Sequence, residues 1–354
     1  MRMRFGVIGA GKIGRLRIAT IKANPSLDLV AVYDRSKEAV QGAIAGTNAK
    51  PFSDLRTFLD SGLDAVVVST PAFVHQELCV AAFETGHHVL CEKPLSNTVE
   101  GAHAIVAAAR KAKRILAVGF NLRFYPMVKF ARKAVDDGAI GNVTHIRVFG
   151  GHDGLHKFVD DWEYKMPESG GGAMMDIGIH MTDLARYFLG EITTVYGCMS
   201  ESVWHVDGSE DNAIAIFKNP EGIVASYQTT WSEWKGYKSH VEIYGDNGMV
   251  RAAYAPMENL LIANTTRGEL RKVRKLYPDI ILREKLKGWK TTALLSFQEE
   301  LADFLKMVAG DYRVALADGH AGLRSVEVSD AVRTSSRSGQ PVELSNIGNM
   351  YASL

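Results

Sequence analysis

The sequence FGVIGAGKIG, at residues 5–14, decides the fold of the first third of this chain. Residues 5–8 form a short apolar run typical of a buried strand, and the glycines that follow fit the pattern GxGxxG. Gly9 permits a tight turn, Gly11 lets the backbone approach a phosphate group, and Gly14 lets the next helix pack closely on the strand. Among 33 glycines the pattern alone is a weak signal. Its position between a strand and a helix is the one that a dinucleotide-binding loop requires.

A carboxylate stands where such a loop needs one. Asp34 ends the second apolar run, 20 residues after Gly14, and from there it can accept hydrogen bonds from the hydroxyls of an adenine ribose. It can also be a turn residue that caps the next helix. Because a carboxylate repels a 2′-phosphate, Asp34 favours NAD, whereas Arg35 beside it leaves NADP as an alternative. We expect Lys12 and Ile13, inside the loop, to contact the dinucleotide as well.

Strand and helix patterns alternate as far as residue 122. Apolar runs near residues 29–33, 65–68, 88–91 and 115–118 are separated by helix-like stretches near residues 12–24, 36–46, 72–84 and 97–112. This alternation predicts βαβ units and a parallel sheet whose strands are buried on both faces. We therefore expect an α/β fold in which residues 1–122 form a Rossmann domain that binds NAD(P).

The pattern changes in residues 123–354. Between residues 192 and 275, apolar runs are joined by tight-turn signals, which predicts adjacent antiparallel strands. We expect an α+β substrate domain with a large, mostly antiparallel open sheet. Helices are predicted near residues 126–136, 292–309 and 318–337. The last of these helices should pack back on the first domain.

Charge and cysteine content argue against several classes of protein. The 354 residues carry 41 basic and 40 acidic side chains, so the net charge of +1 provides no global attraction for nucleic acid or an anionic membrane. No stretch of 18 consecutive apolar residues predicts a membrane span. The three cysteines match neither a zinc site nor a redox pair. Together with the lack of a signal-peptide pattern, they indicate a cytoplasmic protein.

Lys93 lies in the sequence CEKP at residues 91–94, directly after the fifth apolar run. Ligands of an open α/β sheet bind beyond the carboxyl ends of its strands, so this lysine should face the cofactor. Lysine is uncommon at a buried strand end unless it is paired, and Glu92 is an adjacent partner. The alternative is a surface turn that contains an ordinary Glu–Lys pair.

Asp176 and His180 lie in the sequence GGGAMMDIGIH at residues 170–180 and are four positions apart, so on an α-helix they would share a face. Histidine can exchange a proton near neutral pH, and a carboxylate one turn away can orient its ring or stabilise its charged form. A structural pair on a solvated helix is the alternative. The neighbouring positions are apolar, which favours burial and a functional role.

Metal catalysis fits the sequence poorly. His87 and His88 are adjacent, so in a strand they face opposite ways and cannot readily share an ion. His152, Asp153 and His156 are spaced more like a ligand set, but they lack a matching carboxylate cluster. We therefore predict no metal site.

Taken together, these motifs resemble the glucose–fructose oxidoreductase/inositol dehydrogenase/rhizopine-catabolism (Gfo/Idh/MocA) family over nearly the whole chain. The matching features, in order, are GxGxxG, Asp34, Ser69-Thr70-Pro71 with His75, Glu92-Lys93-Pro94 and GGGxxxDxGxH. Such enzymes use a nicotinamide cofactor to oxidise a secondary hydroxyl of a sugar or cyclitol, or to reduce the matching ketone. The C-terminal sheets of such proteins commonly pair, which implies a homodimer or homotetramer.

The resemblance also assigns roles to residues. It implies that His180 is the general base for oxidation, that Lys93 hydrogen-bonds the reacting oxygen, and that Asp176 tunes and orients both. It implies a cis Lys93–Pro94 peptide bond. The residues that it places around the dinucleotide, besides the loop and Asp34, are Ser69, Thr70, Pro71, His75, Glu92, Lys93 and Asn121.

Other candidate substrate contacts lie near the expected domain junction and in residues 150–167. Arg123, at the junction, can bind hydroxyls or a carboxylate, or pair with an acidic neighbour to hold the domains together. Asp153, His156 and Trp162 belong to a polar and aromatic segment that suits a polyhydroxylated ring. Lys93, Asp176 and His180 complete the predicted substrate site.

Two other functions remain open at this point. One is a redox-neutral glycosidase that keeps NAD bound and oxidises its substrate transiently. The other is a non-catalytic regulator that kept the dinucleotide fold. A regulator should have a damaged Lys–Asp–His set, whereas Lys93, Asp176 and His180 are all present.

Overall fold

A computed structural model describes residues 2–154, 162, 165–166, 168–265 and 268–345. Contacts between Cα atoms divide the chain into two units. Among the described residues, unit 1 contains those as far as Asn121 together with Ala293–Leu323, and unit 2 contains Leu122–Thr292 together with residues 324–345.

Unit 1 contains a seven-stranded sheet. Numbered along the chain, its strands are β1 (Met3–Ile8), β2 (Leu27–Tyr33), β3 (Lys50–Phe52), β4 (Ala65–Val68), β5 (His88–Glu92), β6 (Leu116–Gly119) and β15 (Ala317–Asp318). Their order in the sheet is β15-β6-β5-β4-β1-β2-β3, and every pair is parallel except β15 with β6. All four residues of β4 are buried, as expected for a strand with helices on both faces. The predicted parallel sheet is confirmed.

The helices of unit 1 follow the strands as the sequence predicts. They are α1 (Lys12–Ala23), α2 (Lys37–Ile44), α3 (Leu55–Leu59), α4 (His75–Glu84), α5 (Val99–Ala112), α9 (Lys290–Val308) and the first residues of α10 (Gly319–Ser338). The prediction missed β3 and α3 because both are very short. Pro51 lies within β3, at the edge of the sheet, where a proline removes no ladder hydrogen bond from a central strand.

The predicted boundary between the domains needs one correction. A second domain that runs without interruption from residue 123 to 354 does not match the observed division, because α9 and the start of α10 belong to unit 1. Phe304 of α9 is fully buried and meets the ring of Phe5 edge-on, with centroids 6.2 Å apart. The last helix is predicted to pack back on the first domain, and the division between the units passes through it after Leu323.

Unit 2 contains a nine-stranded sheet. Its strands are β7 (Val143–Gly151), β8 (Thr194–Ser200), β9 (Asn212–Lys218), β10 (Val224–Thr230), β11 (Lys238–Gly245), β12 (Gly248–Tyr254), β13 (Glu258–Asn264), β14 (Leu270–Leu276) and β16 (Val342–Glu343). Their order is β14-β13-β12-β11-β7-β10-β9-β8-β16, and every pair is antiparallel except β7 with β10. The predicted large, mostly antiparallel open sheet is confirmed.

One face of this sheet is buried and the other is exposed. Along β9, buried and exposed residues alternate strictly after the first position, so Ala213, Ala215 and Phe217 enter the core while Ile214 and Ile216 face outward. The helices on the buried side are α6 (Pro126–Asp136), which packs on β12, and α7 (Ile179–Leu189), which packs on β7 and β10. A further helix, α8 (Pro278–Lys287), was not predicted, and of its aliphatic side chains Ile280 is buried while Leu282 and Leu286 are exposed.

Among the residues that the structure describes, no helix combines the length and the apolar composition that crossing a membrane would require.

Candidate cofactor and catalytic residues

The glycine loop, residues 9–14, connects β1 to α1 in a conformation that depends on its glycines. Gly9 has φ +98°, and a Cβ atom there would lie 2.5 Å from the carbonyl oxygen of Ser69. A Cβ atom at Gly14 would lie 1.9 Å from the carbonyl oxygen of Gly9. At Gly11, in contrast, a Cβ atom would meet nothing within 4 Å. The first and third glycines therefore allow close packing, and the middle one opens onto free space.

The helix behind this space begins in a way that suits an anion. Its N-cap is Gly11, which has no side chain to cap the helix, and its first turn contains no acidic residue. Since the first backbone amides of a helix have no partner within it, this end carries a partial positive charge. Lys12 is exposed and Ile13 is half-buried. The arrangement can hold a pyrophosphate.

Asp34 lies beside the loop. Its Oδ2 accepts a hydrogen bond from the backbone amide of Ala10 at 2.7 Å, and its Oδ1 accepts one from the amide of Ser36 at 2.9 Å. The helix cap is Ser36, whose hydroxyl accepts from Ala39, so Asp34 shapes the turn but does not cap the helix. Arg35 is exposed. The carboxylate of Asp34 thus connects the glycine loop to the turn that follows β2.

Two hydroxyl groups lie at the end of β4, next to the loop. Ser69 Oγ and Thr70 Oγ1 are buried and have no hydrogen-bond partner in the structure. Buried hydroxyls without partners are rare, so such a pair indicates a bound group that would satisfy them. Pro71 then begins a short 3₁₀ turn at Ala72–Val74. The glycine loop, Asp34 and these hydroxyls therefore fit a dinucleotide.

His75 connects the loops that follow β4 and β5. It is completely buried, with Nε2 2.9 Å from the carbonyl oxygen of Thr70 and Nδ1 3.0 Å from that of Pro94. Cys91 Sγ lies 3.3 Å from Nδ1. Burial lowers the pKa of His75, and the hydrogen bonds to Thr70 and Pro94 oppose this only partly. His75 therefore joins the loop after β4 to the loop after β5, and its predicted contact with the dinucleotide stays a prediction.

Lys93 follows the last residue of β5, and its peptide bond to Pro94 is cis, as the family resemblance implied. Glu92, the predicted partner of Lys93, has another partner in the described part of the chain. Its carboxylate binds the guanidinium of Arg17, with Nη2 2.6 Å from Oε1, and Arg17 also pairs with the buried Glu300. Burial lowers the pKa of Arg17, but the charges of Glu300 and Glu92 outweigh this and raise it overall. Glu92 therefore joins α1 and α9 to the strand that ends at Lys93.

The two residues predicted at the domain junction are both engaged within their own units. Asn121 donates its side-chain amide to Ser296 Oγ at 3.0 Å in unit 1. Arg123 forms a bidentate ion pair with Asp183, at 2.8 and 2.5 Å, and its guanidinium lies over the ring of Tyr187 in unit 2. Both members of this ion pair are buried, which matches the alternative that Arg123 pairs with an acidic neighbour, while its predicted contact with substrate stays a prediction.

The glycine-rich segment before α7 is anchored by a buried carboxylate. Glu210 accepts hydrogen bonds from the amides of Gly172 at 2.9 Å and Met174 at 2.8 Å. A Cβ atom at Gly172 would lie 2.0 Å from the backbone oxygen of Glu210, so this position requires glycine. A single π-helical turn follows at Met174–Gly178 and runs into α7. Turns of this kind are frequent at functional sites.

Asp176 lies in that π turn, and its recorded partners come from elsewhere in unit 2. Its Oδ2 is 2.8 Å from Nε2 of His152 and accepts a hydrogen bond from the indole of Trp231 at 3.1 Å. The prediction paired Asp176 with His180 by α-helical spacing, but a π turn has a different period, so that argument does not hold here. Asp176 and His180 are both half-buried.

The other residues predicted to bind substrate lie in residues 150–167. Asp153 is exposed, and Trp162 is half-buried in a short turn. His156 lies outside the described residues. Within the described ranges, no three His, Cys, Asp or Glu side chains are placed to hold a metal ion together.

Four residues with structural importance near these sites were missed. Arg17 had a readable signal, because it falls on the same helical face as the buried Gly14, Ile18 and Ile21. His152 was considered only as a metal ligand. Trp231 and Glu210 follow and precede strands of the sheet, and nothing in the local sequence indicates their partners.

Two family models match the chain. Residues 3–120 match a model described as oxidoreductase family, NAD-binding Rossmann fold, and residues 128–251 match one described as GFO/IDH/MocA C-terminal domain. The chain is 31% identical to the inositol 2-dehydrogenase of Rhizobium meliloti over 259 residues, which are 71% of this chain and 76% of that protein. It is 27% identical to the myo-inositol 2-dehydrogenase of Thermotoga maritima, over 94% of this chain and 98% of that protein.

A solved structure has the same fold. The WlbA dehydrogenase from Bordetella pertussis, in complex with NADH and UDP-GlcNAcA, aligns with a TM-score of 0.80 and 25% identity. The alignment covers 97% of this chain and 98% of that one.

The burial of His75 predicts a pH-dependent stability. Since the pKa of His75 is lowered in the folded chain, protons bind the unfolded chain first as the pH falls below about 6.5. The stability that the neutral ring contributes is therefore present above that pH and lost below it, by at most about 1.4 kcal/mol per pH unit. Urea unfolding of the unmodified chain and of His75→Gln between pH 5 and 8 tests this. The unfolding free energy of the unmodified chain minus that of His75→Gln should shrink toward pH 5. A value that is constant from pH 5 to pH 8 would contradict the prediction.

Proposed function

The chain belongs to the Gfo/Idh/MocA family of NAD-binding oxidoreductases, and on that premise we propose that it transfers a hydride between NAD and a secondary hydroxyl, or the matching ketone, of a sugar, sugar derivative or cyclitol. The observation that carries the proposal is the glycine loop. It combines open space at Gly11 with the carboxylate of Asp34 and the unpartnered hydroxyls of Ser69 and Thr70.

These residues define how a dinucleotide would be held. The amides at the start of α1 bind the pyrophosphate, and Asp34 accepts hydrogen bonds from the adenine ribose. Ser69 and Thr70 supply hydroxyls at the end of β4. When bound, NAD supplies the hydride acceptor for oxidation or the hydride donor for reduction.

The residues proposed to act on the reacting hydroxyl or ketone of the substrate are Lys93, Asp176 and His180. For oxidation, His180 takes the hydroxyl proton as the carbonyl forms, so the alcohol loses one proton and one hydride in total. The ammonium of Lys93 donates a hydrogen bond to the same oxygen and stabilises its developing negative charge. The carboxylate of Asp176 orients these groups and stabilises the positive charge that the histidine gains.

A carbohydrate or polyol substrate suits the surroundings of Asp176. Asp176 itself is a half-buried polar group that can meet hydroxyls, and the partly exposed Tyr237 provides an aromatic face that can meet C–H groups. The named relatives that match this chain are dehydrogenases and reductases, so neither a redox-neutral glycosidase nor a non-catalytic regulator is favoured.

We further propose that copies of the chain associate through the open face of the unit 2 sheet. Tyr196, Ile214, Ile216 and Val224 point outward from three neighbouring strands and are all more than 40% exposed. A patch of large apolar side chains on a flat sheet is typical of a subunit interface. The cytoplasm is the proposed location, since Cys79, Cys91 and Cys198 are free thiols.

Cofactor choice should depend on the charge of Asp34. We expect NAD to bind more tightly than NADP, and Asp34→Asn to narrow the gap because it removes the charge while keeping an oxygen that can accept from Ala10. Calorimetric titration of the unmodified chain and of Asp34→Asn with NAD and with NADP measures the four affinities. Equal affinities in the unmodified chain would refute the assignment and point to Arg35 as a ligand for a 2′-phosphate.

Catalysis should depend on His180 and Lys93. His180→Ala and Lys93→Ala should each lower kcat by about 10²–10⁴-fold, while the Kd for NAD changes little, because proton transfer and oxyanion stabilisation are lost. The double variant should lose much less than the product of the two. A panel of sugars and polyols, followed by NADH absorbance, measures the rates, with exposed His103→Ala as the matched control. Full turnover by His180→Ala would end the assignment.

The oligomeric state should depend on the exposed sheet face. Light scattering should give a multiple of the 38.8 kDa chain mass for the unmodified protein and the single mass for Ile214→Glu/Ile216→Glu. Leu282→Glu, on the exposed side of α8, should leave the mass unchanged. A monomeric unmodified protein would contradict the proposed interface.

A further inference from the structure

One oxygen atom of Asp176 is contacted by two side chains from different strand ends. His152 follows β7, and its Nε2 lies 2.8 Å from Oδ2. Trp231 follows β10, and its Nε1 donates to the same Oδ2 at 3.1 Å. The strands β7 and β10 are the one parallel pair in the described sheet of unit 2. Their C-terminal ends, and therefore the residues that follow them, lie at the same end of the sheet.

His152 is held in place through both its backbone and its ring. Its amide donates to the carbonyl of Thr230 at 3.1 Å, and its own carbonyl accepts from Glu233 at 3.3 Å. The ring lies nearly parallel to that of Tyr237, with an interplanar angle of 4°. A Cβ atom at Gly154 would lie 2.0 Å from Cε1 and Nδ1 of His152. The ring therefore has little freedom to turn away from Asp176.

Trp231 is held just as firmly. Its side chain is completely buried, its amide donates to the carbonyl of Asp211 at 2.8 Å, and its carbonyl accepts from the indole of Trp204 at 3.0 Å. Asp211 in turn accepts hydrogen bonds from the amides of Ser202 and Trp204. The donor that faces Asp176 is therefore part of a fixed network.

The hydrogen-bonding capacity of Trp231 and His152 affects the protonation state of Asp176. An indole N–H can donate but cannot accept, so Oδ2 must meet it with a lone pair. Nε2 of His152 can contribute a hydrogen bond to the same atom only if it carries the proton. When Nε2 of His152 carries the proton, both side chains donate to one oxygen, which favours the ionised carboxylate over the acid. An ionised, fixed carboxylate is what the proposed roles of Asp176 require.

We propose that His152 and Trp231 are positioning residues for the reaction, which hold the carboxylate of Asp176 in one orientation and in its ionised form. This inference rests on the proposed function, because it assumes that Asp176 acts in hydride transfer. It assigns to the ends of β7 and β10 a role that extends beyond the Lys–Asp–His set.

The geometry can be tested without any substrate. In ¹H–¹⁵N spectra of the ¹⁵N-labelled chain, the five tryptophans give five indole signals. Asp176→Ala should move the Trp231 signal, because its acceptor is removed, and should leave the Trp204 signal near its place, because that indole binds a backbone carbonyl. A Trp231 signal that does not move would overturn the inference.

Kinetics test the positioning role. Trp231→Phe and His152→Leu should each lower kcat by about 10- to 100-fold, the value of one hydrogen bond to a charged group, while the KM for NAD and the Tm change little. His152→Gln should recover much of the loss, since its amide can still donate. Gly154→Ala should mimic His152→Leu by displacing the ring, although residue 154 has no functional side chain. Trp289→Phe, at a more exposed position, is the control and should keep full activity.

The outcomes separate this inference from the proposed function. If the unmodified chain shows no NAD-linked turnover of any sugar or polyol, the proposed function fails, and the spectra still test the contacts. If the unmodified chain is active and Asp176→Ala is not, full kcat in Trp231→Phe and His152→Leu would overturn the inference alone. A fall in kcat that follows a fall in Tm, with no recovery in His152→Gln, would also overturn it.

Discussion

The arrangement of unit 1 depends on the ion pairs of one buried guanidinium group, that of Arg17. It comes from α1, directly behind the glycine loop, and it pairs with Glu92 at the end of β5 and with Glu300 of α9. A buried cation left without its partners is strongly destabilising, typically by 3–5 kcal/mol, so these three elements must meet for the unit to fold. Arg17 also lies over the ring of Phe297, with its guanidinium carbon 3.8 Å from the ring centroid. The same contacts explain why a segment from late in the chain belongs to the first unit.

Buried carboxylates have a comparable role in unit 2. Glu210 binds two amides of the glycine-rich segment, and Asp211 binds the amides of the loop that follows β8. Burial raises the pKa of Glu210, and hydrogen bonds from Met174 and Gly172 partly oppose this. Glu210 thus fixes the backbone just before Asp176, and the backbone carbonyl of Asp211 also accepts a hydrogen bond from the backbone amide of Trp231, whose indole contacts Asp176. The π turn that carries Asp176 is therefore set by tertiary contacts more than by local helix propensity.

Each unit supports its own candidate catalytic residues in the same way. In each, the residue assigned to chemistry is preceded or contacted by a charged or aromatic group that is itself held by the core. Glu92 before Lys93 is fixed by Arg17, and Asp176 is fixed by His152 and Trp231. Catalytic groups held by a rigid surrounding layer need little reorganisation during the reaction.

The sequence by itself determined the features that depend on near neighbours. The glycine loop, the alternation of strands and helices and the position of Asp34 could be predicted, because turn geometry, side-chain period and helix length are local properties. Local sequence also singled out Lys93, Asp176 and His180, whereas the resemblance to the family supplied their roles and the cis bond at Lys93.

The tertiary structure alone decided which polar groups are partners. Glu92 binds Arg17, 75 residues away, Arg123 binds Asp183, 60 residues away, and Asp176 meets Trp231 across 55 residues. Proximity in the sequence paired Glu92 with Lys93 and Asp176 with His180, and the second pairing assumed an α-helical period where the chain forms a π turn. A buried charge pairs with whatever opposite charge or donor the folded core brings within about 3 Å, and a local pattern does not contain that distance.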